Sequence, residues 1–153
     1  KISRHTTHYG IDTEPAWSPN SKKLLFTSNR SGSPQIYELT ISSNRIKRVT
    51  LDGDYNARAS YFPDGKDIVL VHGNNGVFHI GTKKLKSRFI NTISKTTLDE
   101  SPTISPNGNI IIYATKNNTQ GYLAGLTLDG KSKFTLPVKL GSVREPAWSP
   151  FMN

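Results

Sequence analysis

Short apolar runs, cut at even intervals by turn residues, make up most of this chain. Leu24-Leu25-Phe26, Ile68-Val69-Leu70-Val71 and Ile110-Ile111-Ile112-Tyr113 are continuous, which predicts strands covered on both faces. Ile46-Lys47-Arg48-Val49-Thr50 is amphipathic and predicts an outer strand, with counterparts near Phe89-Ile90 and Phe134-Thr135-Leu136. Between them lie Gln35-Ile36-Tyr37-Glu38-Leu39, Phe78-His79-Ile80 and Tyr122 to Leu126, each a further strand. Pro63-Asp64-Gly65-Lys66 and Pro106-Asn107-Gly108 supply the positive φ angles of tight hairpins.

These elements recur. Glu14-Pro15-Ala16-Trp17-Ser18-Pro19-Asn20 returns as Arg58-Ala59-Ser60-Tyr61-Phe62-Pro63-Asp64, then as Ser101-Pro102-Thr103-Ile104-Ser105-Pro106-Asn107, and finally as Glu145-Pro146-Ala147-Trp148-Ser149-Pro150. The second proline stands at 19, 63, 106 and 150, at spacings of 44, 43 and 44. Four strands in such a period are the mark of a β-propeller blade, each blade packing its faces on its neighbours. A β-sandwich has strands as short but repeats no motif at this period.

The predicted fold is therefore all-β, a partial propeller of four-stranded antiparallel blades. Residues 1–10 read as the outer strand of a preceding blade and its loop, because Ile46 to Thr50 shifted by one period falls on Ile2 to Thr6. Blades follow at 11–54, 55–97 and 98–142, and 143–153 reads as the inner strand of a closing blade. This content predicts a piece of a longer, ring-closed protein.

Composition narrows the function classes. Hydrophobic residues make up 34% of the 153, fitting many half-buried strands better than a thick helical core. No apolar run approaches the roughly 18 residues needed to cross a bilayer as a helix. Cysteine is absent, which excludes disulfides and thiolate metal sites. The net charge of +9 raises nucleic acid or an anionic membrane as partners, yet the basic residues are scattered. The densest run, Lys83 to Arg88, falls where a solvated edge strand or hairpin belongs. Neither nucleic-acid binding nor membrane insertion is expected.

Thr13-Glu14-Pro15-Ala16-Trp17-Ser18-Pro19-Asn20, Leu24 to Ser28, Arg30, Gly32 and Gln35-Ile36-Tyr37 resemble the TolB-type propeller repeat. Leu98-Asp99-Glu100-Ser101-Pro102, Tyr113-Ala114-Thr115, Asp129-Gly130 and Val143 to Phe151 extend the resemblance over essentially the whole chain. It implies the C-terminal half of a six-bladed propeller in a periplasmic, non-enzymatic protein of the Tol-Pal system. It implies as partners the peptidoglycan-associated lipoprotein Pal, other Tol proteins and colicins, with roles in outer-membrane integrity and cell division. Three departures are local: Ser21 for the turn glycine, Ala59 for proline and Phe62 for serine.

In a propeller, the segments leading into the inner strands form one mouth. Here they carry Asp12, Thr13 and Glu14, Asn56, Ala57 and Arg58, Asp99 and Glu100, and Arg144 and Glu145. Charges converging there suit a partner's loop through charge-assisted hydrogen bonds, with Tyr9 and Tyr55 as anchors. The competing reading is that each Glu and Arg merely pairs between blades. Thr13 carries the family's Pal-contacting position by resemblance. The same carboxylates leave calcium open, although no contiguous calcium-loop motif exists. No cofactor is expected.

The repeat equates Trp17 and Trp148 with Tyr61 and Ile104, which predicts inter-blade core and a cost of about 3–5 kcal/mol for Trp17→Ala. His5, His8, His72 and His79 have no metal-ligand spacing. No nucleophile elbow, phosphate loop or dinucleotide motif is present, so nothing points to catalysis. Two alternatives remain: the propeller of a prolyl-oligopeptidase-like peptidase, and a carbohydrate- or ion-binding propeller.

Overall fold

A computed structural model describes residues 2–117, 120–138 and 141–150. Among them there is no helix. Twelve strands form three antiparallel sheets of four, each in sequence order. The first holds β1 (Asp12–Trp17), β2 (Lys23–Ser28), β3 (Gln35–Thr40) and β4 (Arg45–Arg48). The second holds β5 (Tyr55–Tyr61), β6 (Asp67–Asn74), β7 (Val77–Lys84) and β8 (Asn91–Thr92). The third holds β9 (Glu100–Ile104), β10 (Ile110–Lys116), β11 (Gly121–Thr127) and β12 (Lys133–Leu136). This is part of a β-propeller.

The sheets stack face to face because the second strands are apolar on both sides. Ile68 and Leu70 of β6 pack with Leu25 and Ile36 of the first sheet. Val69 and Val71, alternating with them, pack with Ile111, Tyr113, Ala124 and Leu126 of the third. Strand side chains alternate between faces, so an unbroken apolar run fills two interfaces. Buried polar pins join successive sheets. The Thr50 hydroxyl donates to Gln35 Oε1 at 2.7 Å, and Asn56 Nδ2 donates to the same oxygen at 2.9 Å. One period later, Ser94 Oγ accepts the Ile80 N–H at 2.8 Å and donates to Asp99.

The hairpins between first and second strands show how the repeat tolerates drift. Ser18 Oγ accepts the Lys23 N–H and Ser105 Oγ the Ile110 N–H, at 2.9 and 3.0 Å. Phe62 replaces that serine in the second sheet; it keeps the backbone bond to Asp67 at 2.9 Å and buries its ring against the third sheet. Gly65 and Gly108 turn with φ of 68° and 77°, and Ser21 adopts 55° at the matching place. The departure at Ser21 changes the cost of the turn and leaves its shape intact.

Several expectations need correction. Trp17 is not core: it is 59% exposed, and Trp148 is only half-buried. Tyr61, at the same repeat position, is 9% exposed because the first sheet covers it, whereas no sheet among the described residues lies against Trp17. Among the described residues nothing pairs with Ile2 to Thr6 or with Glu145 to Trp148 as a strand. The outer strand of the second sheet is Asn91–Thr92 rather than Phe89-Ile90. Ile90 instead caps the interface with the first sheet. Lys83 and Lys84 end the third strand and 85–88 form its turn, with Lys83 buried rather than solvated. Phe151 lies outside the described residues.

Candidate functional site

Most of the residues assigned to loops lie in the inner strands themselves; Asp99, Arg144 and Glu145 lie outside any strand. Asp12 to Glu14 open β1, Asn56 to Arg58 lie in β5, and Glu100 and Ser101 open β9. Each of these strands shifts register against its second strand at this point. In β1, β5 and β9 the shift coincides with a left-handed residue, and Glu145 repeats that conformation outside any strand: Glu14, Arg58, Ser101 and Glu145 have φ of 56°, 53°, 54° and 53°. Such a φ is uncommon outside glycine and costs on the order of 1 kcal/mol. A bulge of this kind re-aims a side chain. Four side chains, one per repeat, are aimed at one place.

There they meet. Arg58 Nε lies 2.9 Å from Glu14 Oε1, and Arg58 Nη1 lies 2.6 Å from Glu145 Oε1. Arg58 Nη1 also donates to Ser101 Oγ at 2.9 Å, and Ser101 Oγ donates to Glu145 Oε1 at 3.1 Å. The Arg58 N–H closes the set on Glu14 Oε2 at 3.0 Å. Burial works against the Arg58 cation, but Glu145 and Glu14 outweigh it and raise its pKa. The Arg58 hydrogen bond holds the Glu145 carboxyl below its ordinary range against the opposing effect of desolvation. The ring spans all three sheets and the segment beyond them.

The remaining candidates separate by exposure. Asp12 accepts from Arg30 Nη2 at 2.9 Å within the first sheet. Burial raises its pKa, but bonds from Ser28 and Arg30 outweigh that and leave it lowered. Asn56, Ala57 and Asp99 are buried, and the side chains of Asn56 and Asp99 pin neighbouring sheets. Thr13 and Arg144 are exposed, and Glu100 is half-buried, with Arg144 Nε 3.6 Å from Glu100 Oε1. Tyr55 stands edge-on to Phe78 at 5.0 Å between centroids, and Tyr9 is fully exposed, stacked on His8. A cleft of about 470 Å³ opens here between Tyr55, Arg58, Glu100 and Arg144.

Among the described residues no three His, Asp or Glu gather as a metal cage. Asp12, Glu14, Glu100 and Glu145 are divided among Arg30, Arg58 and Arg144, and Asp99 accepts from Ser94. His5 lies 2.7 Å from Asn44, and His8 accepts the Gly10 N–H, so that pair is split. Sequence reasoning missed the role of Ser101. It could have been found, because Ser101 is aligned with Glu14, Arg58 and Glu145 in the repeat.

The sequence matches the family described as PD40, TolB beta propeller domain, over residues 1–152. The chain belongs to the TolB β-propeller family. It is similar to the Tol-Pal system protein TolB of Bordetella pertussis, 38% identical over 98% of this chain and 34% of that protein. It is also similar to the Tol-Pal system protein TolB of Pseudomonas aeruginosa, 42% identical over 66% of this chain and 24% of that protein. The crystal structure of TolB from Acinetobacter baumannii superposes with a TM-score of 0.91 at 41% identity, covering 99% of this chain and 38% of that one. The chain thus spans a quarter to just over a third of these TolB proteins.

Proposed function

We propose that this chain is the docking part of a periplasmic, non-catalytic TolB propeller of the Tol-Pal system, receiving a loop of Pal at the mouth. The observation that carries the reading is the ring of Glu14, Arg58, Ser101 and Glu145, each in a left-handed conformation. Backbone strain of this kind is kept where the surroundings over-determine it, and it concentrates at binding sites. The ring fixes the neighbouring residues, so Thr13, Glu100 and Arg144 stand at the rim ready to bond an incoming backbone or charged side chain. A preformed rim costs little ordering on binding. Colicins would exploit the same rim, and the roles in outer-membrane integrity and cell division follow from holding Pal.

The test is calorimetric titration of the full-length protein with soluble Pal. Thr13→Ala and Glu100→Lys are expected to weaken binding at least about tenfold, the effect of losing one good contact or introducing a like charge. The melting temperature is expected to stay unchanged. Unaltered affinity in both variants, or no binding by the parent, overturns the reading.

A further inference from the structure

The end of the sheets away from the mouth carries a different chemistry. Lys84 pairs with Asp67 and Lys83 with Ile68, at the far end of β6 from Tyr55. Here a groove of about 960 Å³ opens at the perimeter between the first and second sheets. Eight of its sixteen lining residues are lysine or arginine, against three carboxylates. Among the described residues, only Lys23 of these cations makes an ion pair, with Glu38 at 2.7 Å. Glu38 also accepts from the Tyr61 hydroxyl at 2.8 Å, and Asp64 caps the Lys66 N–H at 2.9 Å. Glu38 and Asp64 are engaged internally, whereas seven of the eight cations meet no carboxylate among the described residues.

Lys83 marks the floor. It is 2% exposed, and its ammonium donates only to the carbonyls of Lys84 and Ser87, with no carboxylate. Those bonds hold the turn that presents Lys84, Lys86 and Arg88. Burial lowers the Lys83 pKa, and the charge of Lys47 lowers it further. Burying an ammonium without a counter-charge costs stability, and an outside anion offsets that cost. Two apolar side chains stand exposed beside the cations: Leu51 at 60% on the groove wall and Phe89 at 78% next to Arg88.

We propose that this groove binds the phosphate-bearing headgroups of an anionic lipid surface, with Leu51 and Phe89 seated in the interface. Cations beside exposed apolar side chains suit a charged membrane surface, where each basic residue near the plane adds attraction and apolar groups add burial. A free phosphate would leave Leu51 and Phe89 without a role. The groove lacks the stacked aromatics that single-stranded nucleic acid prefers. Because it lies at the opposite end from the mouth, lipid and loop can be held together.

The experiment is co-sedimentation of the full-length protein with vesicles of three parts phosphatidylcholine to one part phosphatidylglycerol, and with phosphatidylcholine alone. Binding is expected to the mixed vesicles only, weakening with salt. The quadruple variant K47E/K84E/K86E/R88E, on exposed positions, is expected to lose at least about tenfold in binding with an unchanged melting temperature. The pair L51S/F89S is expected to lose several-fold with every cation in place. Glu100→Lys at the mouth is expected to bind vesicles as the parent does, separating this proposal from the Pal reading. No binding to mixed vesicles, equal binding by the quadruple variant, or displacement by pyrophosphate or an oligonucleotide at matched ionic strength would overturn it.

Discussion

Trp17 and Tyr61 stand one repeat apart at the same place in β1 and β5, but their surroundings differ. Tyr61 is clamped between sheets, with its hydroxyl 2.8 Å from Glu38, and burial followed by that carboxylate pushes its pKa far up. Trp17 faces outward. The second sheet has a neighbour on each face. The first has one on its inner face, while Phe26, Tyr37 and Leu39 gather on the other beneath Arg30, which lies about 5 Å over both rings. A repeat position encodes a side chain fit for an interface, and whether it is buried depends on the sheet beside it.

The widest gap between these two sheets is expected from truncating the paired aromatics. Tyr61→Ala should lower the stability of this 153-residue chain by about 3–5 kcal/mol, and Trp17→Ala by less than about 1 kcal/mol. Urea unfolding reads both, and equal losses would break the comparison. A smaller difference lies in the hairpins. Ser21→Gly is expected to raise stability by about 1 kcal/mol by relieving a left-handed serine, and Gly65→Ser to lower it by a similar amount. A shift of the urea midpoint in the same direction for both variants would contradict the shared turn geometry.

The smallest effect is read against pH, at one more shared position. Asp12 is paired in register with Ser28 in the first sheet, and Asn56 with His72 in the second. Burial depresses the His72 pKa, so the unfolded chain takes the proton more readily and stability falls as pH drops through the ordinary imidazole value. The lowered Asp12 pKa gives stability that is present above the ordinary carboxylate value and lost as pH falls below it. Acidification should therefore weaken the second sheet first and the first sheet afterwards. Urea midpoints across pH are expected to lose the earlier step in His72→Gln and the later one in Asp12→Asn; an unchanged profile in either variant would refute that order.

Much of the fold was legible because it is local and repeated. Continuous runs such as Ile68 to Val71 announced strands covered on two faces, and Asp64-Gly65 and Asn107-Gly108 announced hairpins. The repeat also aligned the residues of the site. It did not reveal that Arg58 would be the hub, or that Asn56 and Asp99 would turn inward as pins. Alignment fixes position along the chain, whereas the left-handed backbone at Glu14, Arg58, Ser101 and Glu145 decides where each side chain points.

The sequence by itself determined the blade: its strands, its hairpins, its period and the apolar residues fit for sheet faces. Those follow from side-chain alternation and turn chemistry within some forty residues. Only the tertiary structure decided which aromatic is covered, which carboxylate meets which arginine, and that Lys47 and Lys84 share one groove. Most such contacts join residues of different sheets, and they arise when sheets stack.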